Sequence, residues 1–547
     1  MAVITVSKFS GVSPMTPPRY LGNDAAQTAL NCSVWLGSLQ PIRGAAEITT
    51  DPLTKTGTIK SIYRFGQDQT DETNYWFHWT TDVDVVQGFI AGDTSEKTYF
   101  TGDGAPKVTY AAAAIDTNDT NYPVVSYDLG VPKPSGTWPL ITKGGTITPN
   151  TLPETRVYTC TYVNEWGEES APYSASDMGP NTIDVYPGET VTVSFPDQPA
   201  VTEVALAKIR IYRSAAGTSE SSFFFVGEAL DTAVSYTDTV AGDALNEALP
   251  SLTWEKPKAD MEGLVGLPNG VMAGFKGNDL YFSEPYRPFA WPIQYMQTAG
   301  YPIVGLAVVD TTLVVMTKGR PYFIQGSHPE NMTMVEADVN QSCVSKKSIV
   351  VINKNVLYAS PDGLVALSAG GSSTVTEGMF DKQAWQAMGP VGLIGQRYED
   401  QYVGFLAPTG SPAKGFVYNM REKSWNFHSV SAAGGYNDLR HDSLYLIKND
   451  ALWKWDEGAV LEYEWKSKKF TFPEPKGLTC YRVQAETYPV TLKIFRDSTE
   501  IVSTSVTDGY IKRLPSGMGT DWEFQLEGNT EVYNVQLAQS PMEFNQG

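Results

Sequence analysis

The sequence predicts an all-β protein: a β-propeller-like core split in sequence, an inserted fibronectin type III-like sandwich and a C-terminal β module. Three observations carry this. The 48 glycines and 35 prolines punctuate short runs rich in Val, Ile, Thr, Tyr, Phe and Trp, the composition of strands joined by tight turns. A turn followed by an aromatic strand recurs at a loose period through the second half of the chain. Aromatic residues make up 12% of the 547 residues, enough to build several cores.

The elements follow in order. Residues 1–58 form an N-terminal segment. Within it Asp24–Leu30 (DAAQTAL) reads as a short helix, because Asp is a good N-cap whose carboxylate accepts the first free N–H groups. Residues 59–114 supply one or two N-terminal propeller blades, with apolar runs at Ile59-Lys-Ser-Ile-Tyr-Arg-Phe, Tyr75-Trp-Phe-His-Trp, Val85–Ala91 and Thr98-Tyr-Phe-Thr-Gly-Asp-Gly. Residues 115–151 have Pro and Gly turns and little pattern, and read as a linker. Residues 152–252 carry short alternating strands over about a hundred positions, including Arg156-Val-Tyr-Thr-Cys-Thr-Tyr-Val and Lys208-Ile-Arg-Ile-Tyr-Arg, as in a fibronectin type III-like sandwich.

Residues 253–458 hold the main blades. Turn-plus-strand phrases start at Gly277, Gly319, Gly363, Gly415 and Asp450, at intervals of 42, 44, 52 and 35 residues. Each is preceded by a second apolar run: Val271–Phe275, Leu313–Thr317, Val356–Ser360, Tyr402–Leu406 and Ser443–Ile447. A degenerate period of about 40–50 residues built from hairpins is what propeller blades show. One blade cannot bury both faces alone, so stacking is the physical reason for the repeat. Coincidental hairpin spacing in a β-sandwich is the alternative. Asp381–Met388 (DKQAWQAM) is a second short helix candidate with an Asp N-cap. Residues 459–547 alternate again, at Val490-Thr-Leu-Lys-Ile-Phe-Arg, Trp522-Glu-Phe-Gln-Leu-Glu and Val532-Tyr-Asn-Val-Gln-Leu, and read as a separate small β module.

Charge and composition exclude several classes. With 40 Lys+Arg against 61 Asp+Glu the net charge is −21, which argues against a nucleic-acid grip built on a basic stripe. No apolar run is long enough to span a bilayer, and no signal peptide is visible at Met1-Ala-Val-Ile-Thr-Val. Cys32, Cys160, Cys343 and Cys480 stand far apart with no C-x-x-C pair. They read as reduced, buried thiols of a protein made in cytoplasm.

No catalytic, cofactor-binding or metal residues stand out, and the chain reads as a non-enzyme without cofactors. The histidines His78, His328, His428 and His441 make no metal-binding spacing. His78 alternates with Phe77 and Trp79 and reads as part of a wall. Gly102-Asp-Gly-Ala-Pro-Lys lacks the last glycine of a phosphate loop and reads as a turn before Val108. Asp116-Thr-Asn-Asp-Thr-Asn could offer oxygen ligands to calcium, but lacks the Gly and bidentate Glu of an EF-hand loop, so it reads as an Asx-rich turn. Asn31-Cys-Ser and Asn118-Asp-Thr match the glycosylation sequon, which carries no meaning without a secretory signal. Trp291, Trp425, Trp453, Trp455 and Trp465 could be sugar platforms, and a carboxylate pair of glycosidase spacing could exist among the acids.

Several phrases, by co-occurrence and order, carry a resemblance. They are Phe9-Ser-Gly-Val-Ser-Pro, Ala29-Leu-Asn-Cys-Ser-Val-Trp-Leu-Gly-Ser-Leu-Gln-Pro, Tyr162-Val-Asn-Glu-Trp-Gly-Glu-Glu-Ser-Ala-Pro, Leu267-Pro-Asn-Gly, Tyr281-Phe-Ser-Glu-Pro-Tyr-Arg-Pro, Ala290-Trp-Pro, Cys343-Val-Ser-Lys and Tyr358-Ala-Ser-Pro-Asp-Gly-Leu-Val. The chain resembles, nearly end to end, the tail nozzle family of short-tailed bacteriophages (tail tubular protein B-like). The resemblance implies a virion protein that assembles rather than catalyses. It would form a homohexameric ring below the portal and its adaptor, extend the DNA ejection channel and hold it closed before infection. It would also anchor fibres or other tail proteins. DNA would pass through the lumen without specific binding, with no membrane insertion, and assembly would take place in the host cytoplasm. The alternative is a receptor-binding or carbohydrate-binding propeller, either an adhesin or a depolymerase.

Overall fold

The computed structural model describes residues 3–66, 70–90, 92–116, 119–135, 141–173, 182–195, 204–215, 222–245, 247–406 and 412–545. The fold is all-β. Helices among the described residues are short, the named ones being Ala111–Ala114, Lys382–Ala387 and brief 3-10 segments. None of these is long and apolar enough to cross a membrane. The chain divides into two compact units. The first holds Met1–Thr80, Val314–Tyr322 and Glu336–Gly547; the second holds Thr81–Leu313 and Phe323–Val335.

In the first unit, hairpin turns build consecutive four-stranded meanders. One runs Val350–Ile352, Asn355–Ala359, Leu364–Ser368, Gly371–Thr374; the next runs Ile394–Tyr398, Gln401–Phe405, Gly415–Asn419, Ser424–His428. A third runs Gly434–Asp438, Ser443–Lys448, Ala451–Lys454, and the hairpin Ser61–Arg64/Trp76–Trp79 follows it in space. The first strands of these sheets touch one another in succession, which is how blades stack. The turns explain the hairpins. Asn449 and Asp450 both have positive φ (54° and 60°) and join Lys448 to its cross-strand partner Ala451. That is a type I′ turn, whose twist matches the strands and which Asn and Asp tolerate. The expected helix Asp381–Met388 exists as Lys382–Ala387, with the Asp381 carboxylate accepting from Ala384 N at 2.7 Å.

The N-terminal segment differs from expectation. Asp24–Leu30 is not a helix. Ala26–Leu30 is a strand, antiparallel to Tyr463–Ser467 and touching Ser424–His428 in parallel at Leu30 and Phe427. Tertiary pairing on both edges outweighs a weak local preference that no apolar helical face supports. Val3–Val6 pairs with Val532–Ala538, and Ala46–Glu47 completes the third meander by pairing with Ala451–Lys454. The C-terminal module is therefore not separate. One of its sheets, with Cys480–Ala485 and Lys512–Arg513, takes in Val3–Val6. The other, with Tyr463–Ser467, Gly519–Gly528, Val490–Arg496 and Thr499–Val506, continues through Ala26–Leu30 into the Ile394–His428 sheet.

One core joins these parts. Phe9 (1% exposed) meets Trp465 edge-on at 4.9 Å, and the Trp465 indole donates to Ser10 O at 3.1 Å. Val12 N donates to Trp425 O at 2.9 Å. Between them Gly11 passes so close that a Cβ would lie 2.5 Å from Trp425 O. Trp425 in turn stacks on Phe416 at 3.8 Å.

In the second unit, Asp84–Gln87, Thr98–Thr101, Lys107–Thr109 and Tyr127–Asp128 form one four-stranded sheet. Glu262–Gly266, Met272–Lys276, Asp279–Phe282 and Gln297–Thr298 form another, with their first strands in contact. The sandwich pairs a three-stranded sheet (Ile141–Gly145, Glu189–Ser194, Ser235–Asp238) with a four-stranded one (Thr182–Val185, Glu154–Asn164, Leu206–Ser214, Phe223–Leu230) over a shared core. The stretch 115–151, expected as a linker, thus contributes two strands, Tyr127–Asp128 and Ile141–Gly145. Both find partners (Lys107–Thr109 and Glu189–Ser194) that no local pattern announces.

The turn after Glu154–Asn164 fastens the sandwich to the 84–128 sheet. Asn164 Oδ1 accepts from Trp166 N and Glu168 N, Glu168 receives Lys97 Nζ at 3.1 Å, and Trp166 packs edge-on against Tyr110 and Tyr127.

The Phe9–Gly11 contact is testable. Phe9→Ala empties a filled core site and should cost ~3–5 kcal/mol. Gly11→Ala forces a Cβ against backbone and should cost ~1–3 kcal/mol. Tyr20→Ala, at a position 79% exposed, should stay within ~0.5 kcal/mol. Urea-unfolding midpoints of the three variants measure the order.

Candidate functional site

Three of the four histidines, His78, His428 and His328, engage backbone groups. Trp76–Trp79 is buried on both faces, which places the His78 ring inside the wall. Its Nδ1 lies 2.9 Å from Trp76 O, and its Nε2 accepts from Thr54 N and Lys55 N, each at 3.1 Å. Two N–H donors on Nε2 require the neutral ring, and burial lowers its pKa to about 4. His428, fully buried, lies edge-on to Phe405 and Trp455 with Nε2 3.2 Å from Gly404 O. Burial again lowers it to about 4. His328 accepts from Glu330 N at the start of a 3-10 turn.

His441 belongs to a compact ionisable constellation in the first unit. Its Nδ1 is 2.7 Å from Asp438 Oδ2, which also receives Arg64 Nη1 at 2.9 Å; Arg64 reaches the Tyr445 hydroxyl at 3.3 Å. Burial pushes the Asp438 carboxyl up, but hydrogen bonds and charge from His441 and Arg64 outweigh it, so the group sits below the usual carboxylate range. An acid–histidine pair needs a nucleophile or a substrate proton to do chemistry, and the oxygen at hand is the Tyr445 phenol, held by Arg64. The Arg64–Asp438 ion pair bolts the end of Ser61–Arg64 to the end of Gly434–Asp438. The i, i+3 spacing of Asp438 and His441 was a visible signal; the partner Arg64, more than 370 positions away, was not.

The other candidates sort the same way. Trp291, Trp425, Trp455 and Trp465 are buried. Half-buried Trp453 has Lys448 Nζ 4.1 Å over its ring. None offers the open face that a sugar platform needs. Gly102-Asp-Gly-Ala-Pro-Lys is the turn between Thr98–Thr101 and Lys107–Thr109, as expected. Gly102 has φ 103°, and a Cβ there would collide with Asp82 O. The Asp116–Asn121 stretch and the Asn118 sequon lie partly outside the described residues. Among the described residues no group of three or more His, Cys, Asp or Glu could hold a metal. Asn31 of the other sequon is buried with its amide engaged: Oδ1 accepts from Ser429 N and Nδ2 donates to Glu462 O. The four cysteines are free and buried, with burial raising Cys32 and Cys343 to about 12.

One concave feature joins stretches that no motif connects. A cavity of about 230 Å³, partly open to solvent, lies between the Cys32–Ser33/Gln40–Pro41 hairpin and the face of the Ile394–His428 sheet. Asn426, Glu399, Glu422, Asp456, Trp35 and Trp455 are on its wall. They come from three separated stretches, so no motif links them.

No family model matches the chain, and no curated protein matches it. Among solved structures it is similar to PorZ, described as an essential bacterial surface component of the type-IX secretion system of Porphyromonas gingivalis. Identity is 10% over 89% of this chain and 82% of that one, with a TM-score of 0.25. A likeness at that score carries no argument about function.

The two buried neutral histidines set a pH dependence. Their folded pKa, about 4, lies below the ordinary 6.5, so the unfolded chain binds more protons between those values. Their stabilisation is complete above pH 6.5, falls as pH drops toward 4, and levels off below. The loss is at most ~3 kcal/mol for each ring. Urea midpoints between pH 7.5 and 4 should fall in that window, and His78→Gln should flatten the slope.

Proposed function

We propose that the chain is a structural subunit of the tail nozzle of a short-tailed bacteriophage, assembling as a homohexameric ring below the portal and adaptor. It would extend the DNA ejection channel, gate it before infection, and give tail fibres or other tail proteins a place to attach. The observation that carries this reading is where the family-like phrases fall. Phe9–Val12 laces Trp425 to Trp465. The Asn164–Ser170 phrase fastens the sandwich to the 84–128 sheet. Ser283 Oγ accepts from Met272 N and donates to Glu284 O. Ser360 Oγ donates to Gly363 O inside a tight turn. These polar groups are consumed in holding backbone together, as suits a protein whose work is to be a rigid part of an assembly.

A closed cyclic ring uses two different complementary faces on each subunit. The sandwich and the C-terminal module are the proposed sources. The charge of −21 suits a conduit, since a like-charged wall repels duplex DNA within roughly 8–10 Å at physiological salt and lets it slide. A soluble acidic surface is the plain alternative for the same charge.

Mass photometry and cryo-EM class averages test the reading. A closed hexamer with a bore about as wide as duplex DNA is expected; a monomer or a trimer overturns it. Deleting 152–252 should abolish rings while leaving the first unit folded by circular dichroism, and intact rings in negative stain would remove the sandwich from the interface.

A further inference from the structure

We propose that the outer edge of Thr499–Val506 docks against the same strand of a second copy of this chain. The strand pairs on one side with Val490–Arg496 and ends its sheet; among the described residues no strand pairs with its other side. It is eight residues long, and an open edge of that length is a template for another chain. Proteins blunt such edges with short strands, with Lys or Pro, or with a covering segment. Other outer strands here follow that rule. Lys512–Arg513 is two residues long and basic, and Gly371–Thr374 is four residues long. Phe223–Leu230 matches Thr499–Val506 in length, but residues 247–249 cover its edge, with Phe225 N donating to Glu247 O and Leu249 N to Phe223 O. Thr499–Val506 contains no Pro, Lys or Arg.

The composition of the strand commits it to one partner. Val502-Ser-Thr-Ser-Val506 reads the same in both directions. Two copies set antiparallel about a two-fold axis at Thr504 match Val502 with Val506, Ser503 with Ser505 and Thr504 with itself. A two-fold contact requires this self-complementarity, and β-branched and hydroxyl pairs are favourable across antiparallel strands. The stretch is also the regular part of the strand: Val502–Val506 pairs residue for residue with Val490–Ile494, and the register breaks only beyond Ile494. Ser503 and Ser505 are exposed, and half-buried Val502 packs at the margin of the main core, so Val502–Val506 pairs would extend that core. Further out, Glu500 and Asp508 would oppose each other, and like charges there end the pairing. A contact of this size falls below the roughly 1,200 Å² of a stable interface, so the association is weak and concentration-dependent.

The contact is independent of the six-fold ring: rings that carried it would pair, and chains that formed no ring would dimerise. Sedimentation velocity of the full chain at about 0.15 M salt, over concentrations on the order of 1–200 μM, tests it. The mass present at the lowest concentration should double as concentration rises. That starting mass reports the ring and the doubling reports the edge, so the two readings fail separately. Ser503→Lys/Ser505→Lys sets like charges opposite each other at both positions and should weaken the doubling about tenfold. Ser503→Lys/Ser505→Glu sets opposite charges face to face in the same register and should restore it. Circular dichroism should be unchanged in both, since the positions are exposed. A constant mass overturns the proposal. So does doubling that the like-charge variant leaves intact, or that the opposite-charge variant fails to restore. Unlimited growth into fibrils that bind thioflavin T overturns it as well, because that marks an unguarded edge and not a two-fold contact.

Discussion

The first unit depends on one contact: the passage of Phe9–Val12 between Trp425 and Trp465. Both indoles are fully buried. One belongs to the last strand of a meander and the other to the first strand of the C-terminal module. Neither strand reaches the other directly. The N-terminal chain fills the gap with a ring (Phe9), a carbonyl (Ser10), a glycine thin enough to pass, and an amide (Val12). Ala26–Leu30 then closes the remaining space as a strand with partners on both sides. Sheet edges left open are templates for wrong pairing, and here three N-terminal strands, Val3–Val6, Ala26–Leu30 and Ala46–Glu47, cover such edges.

Polar groups inside the wall follow the same logic of matched pairs. Arg64 and Asp438 are each about 95% buried and meet across neighbouring first strands. Arg213 and Asp238 meet in the sandwich interior, where Tyr158 also donates to Asp238. Such pairs add little net stability over apolar residues, but losing one partner leaves an uncompensated charge, which is far costlier. They therefore penalise any register in which the two strands miss each other. His78 works likewise without charge, since its Nε2 lone pair takes up the backbone N–H groups of Thr54 and Lys55.

What the sequence made legible was whatever is local. Hairpins at Gly277, Gly363, Gly415 and Asp450 were readable because turn chemistry and period-2 alternation lie within about ten residues. The Lys382–Ala387 helix was readable because its cap lies beside it. The Ala26–Leu30 strand was not, because its partners lie about 400 residues downstream and its own composition favours helix. Tyr127–Asp128 and Ile141–Gly145 carry no alternation of their own, and only pairing with Lys107–Thr109 and Glu189–Ser194 makes them strands. The cavity was illegible in principle: its wall combines residues 32–42 with residues 398–426 and 455–456, and only the fold brings those stretches together.

This distance between partners also governs how the unit can form. Val3–Val6 is synthesised well before its partner Val532–Ala538, which lies almost the whole chain later. Loop closure over such a span costs only a few kcal/mol more than over a short one. The thermodynamic penalty is therefore modest, and the burden is kinetic: non-local pairings are slow to form. Until the C-terminal strands emerge, the Ser424–His428 edge and the Phe9 ring have no complete site to occupy. The meanders between residues 350 and 454 contain their own hairpins and can order early. The N- and C-terminal segments can only order together, each providing the strand edges the other lacks. Sequence ends that look like two modules, 1–58 and 459–547, are physically one.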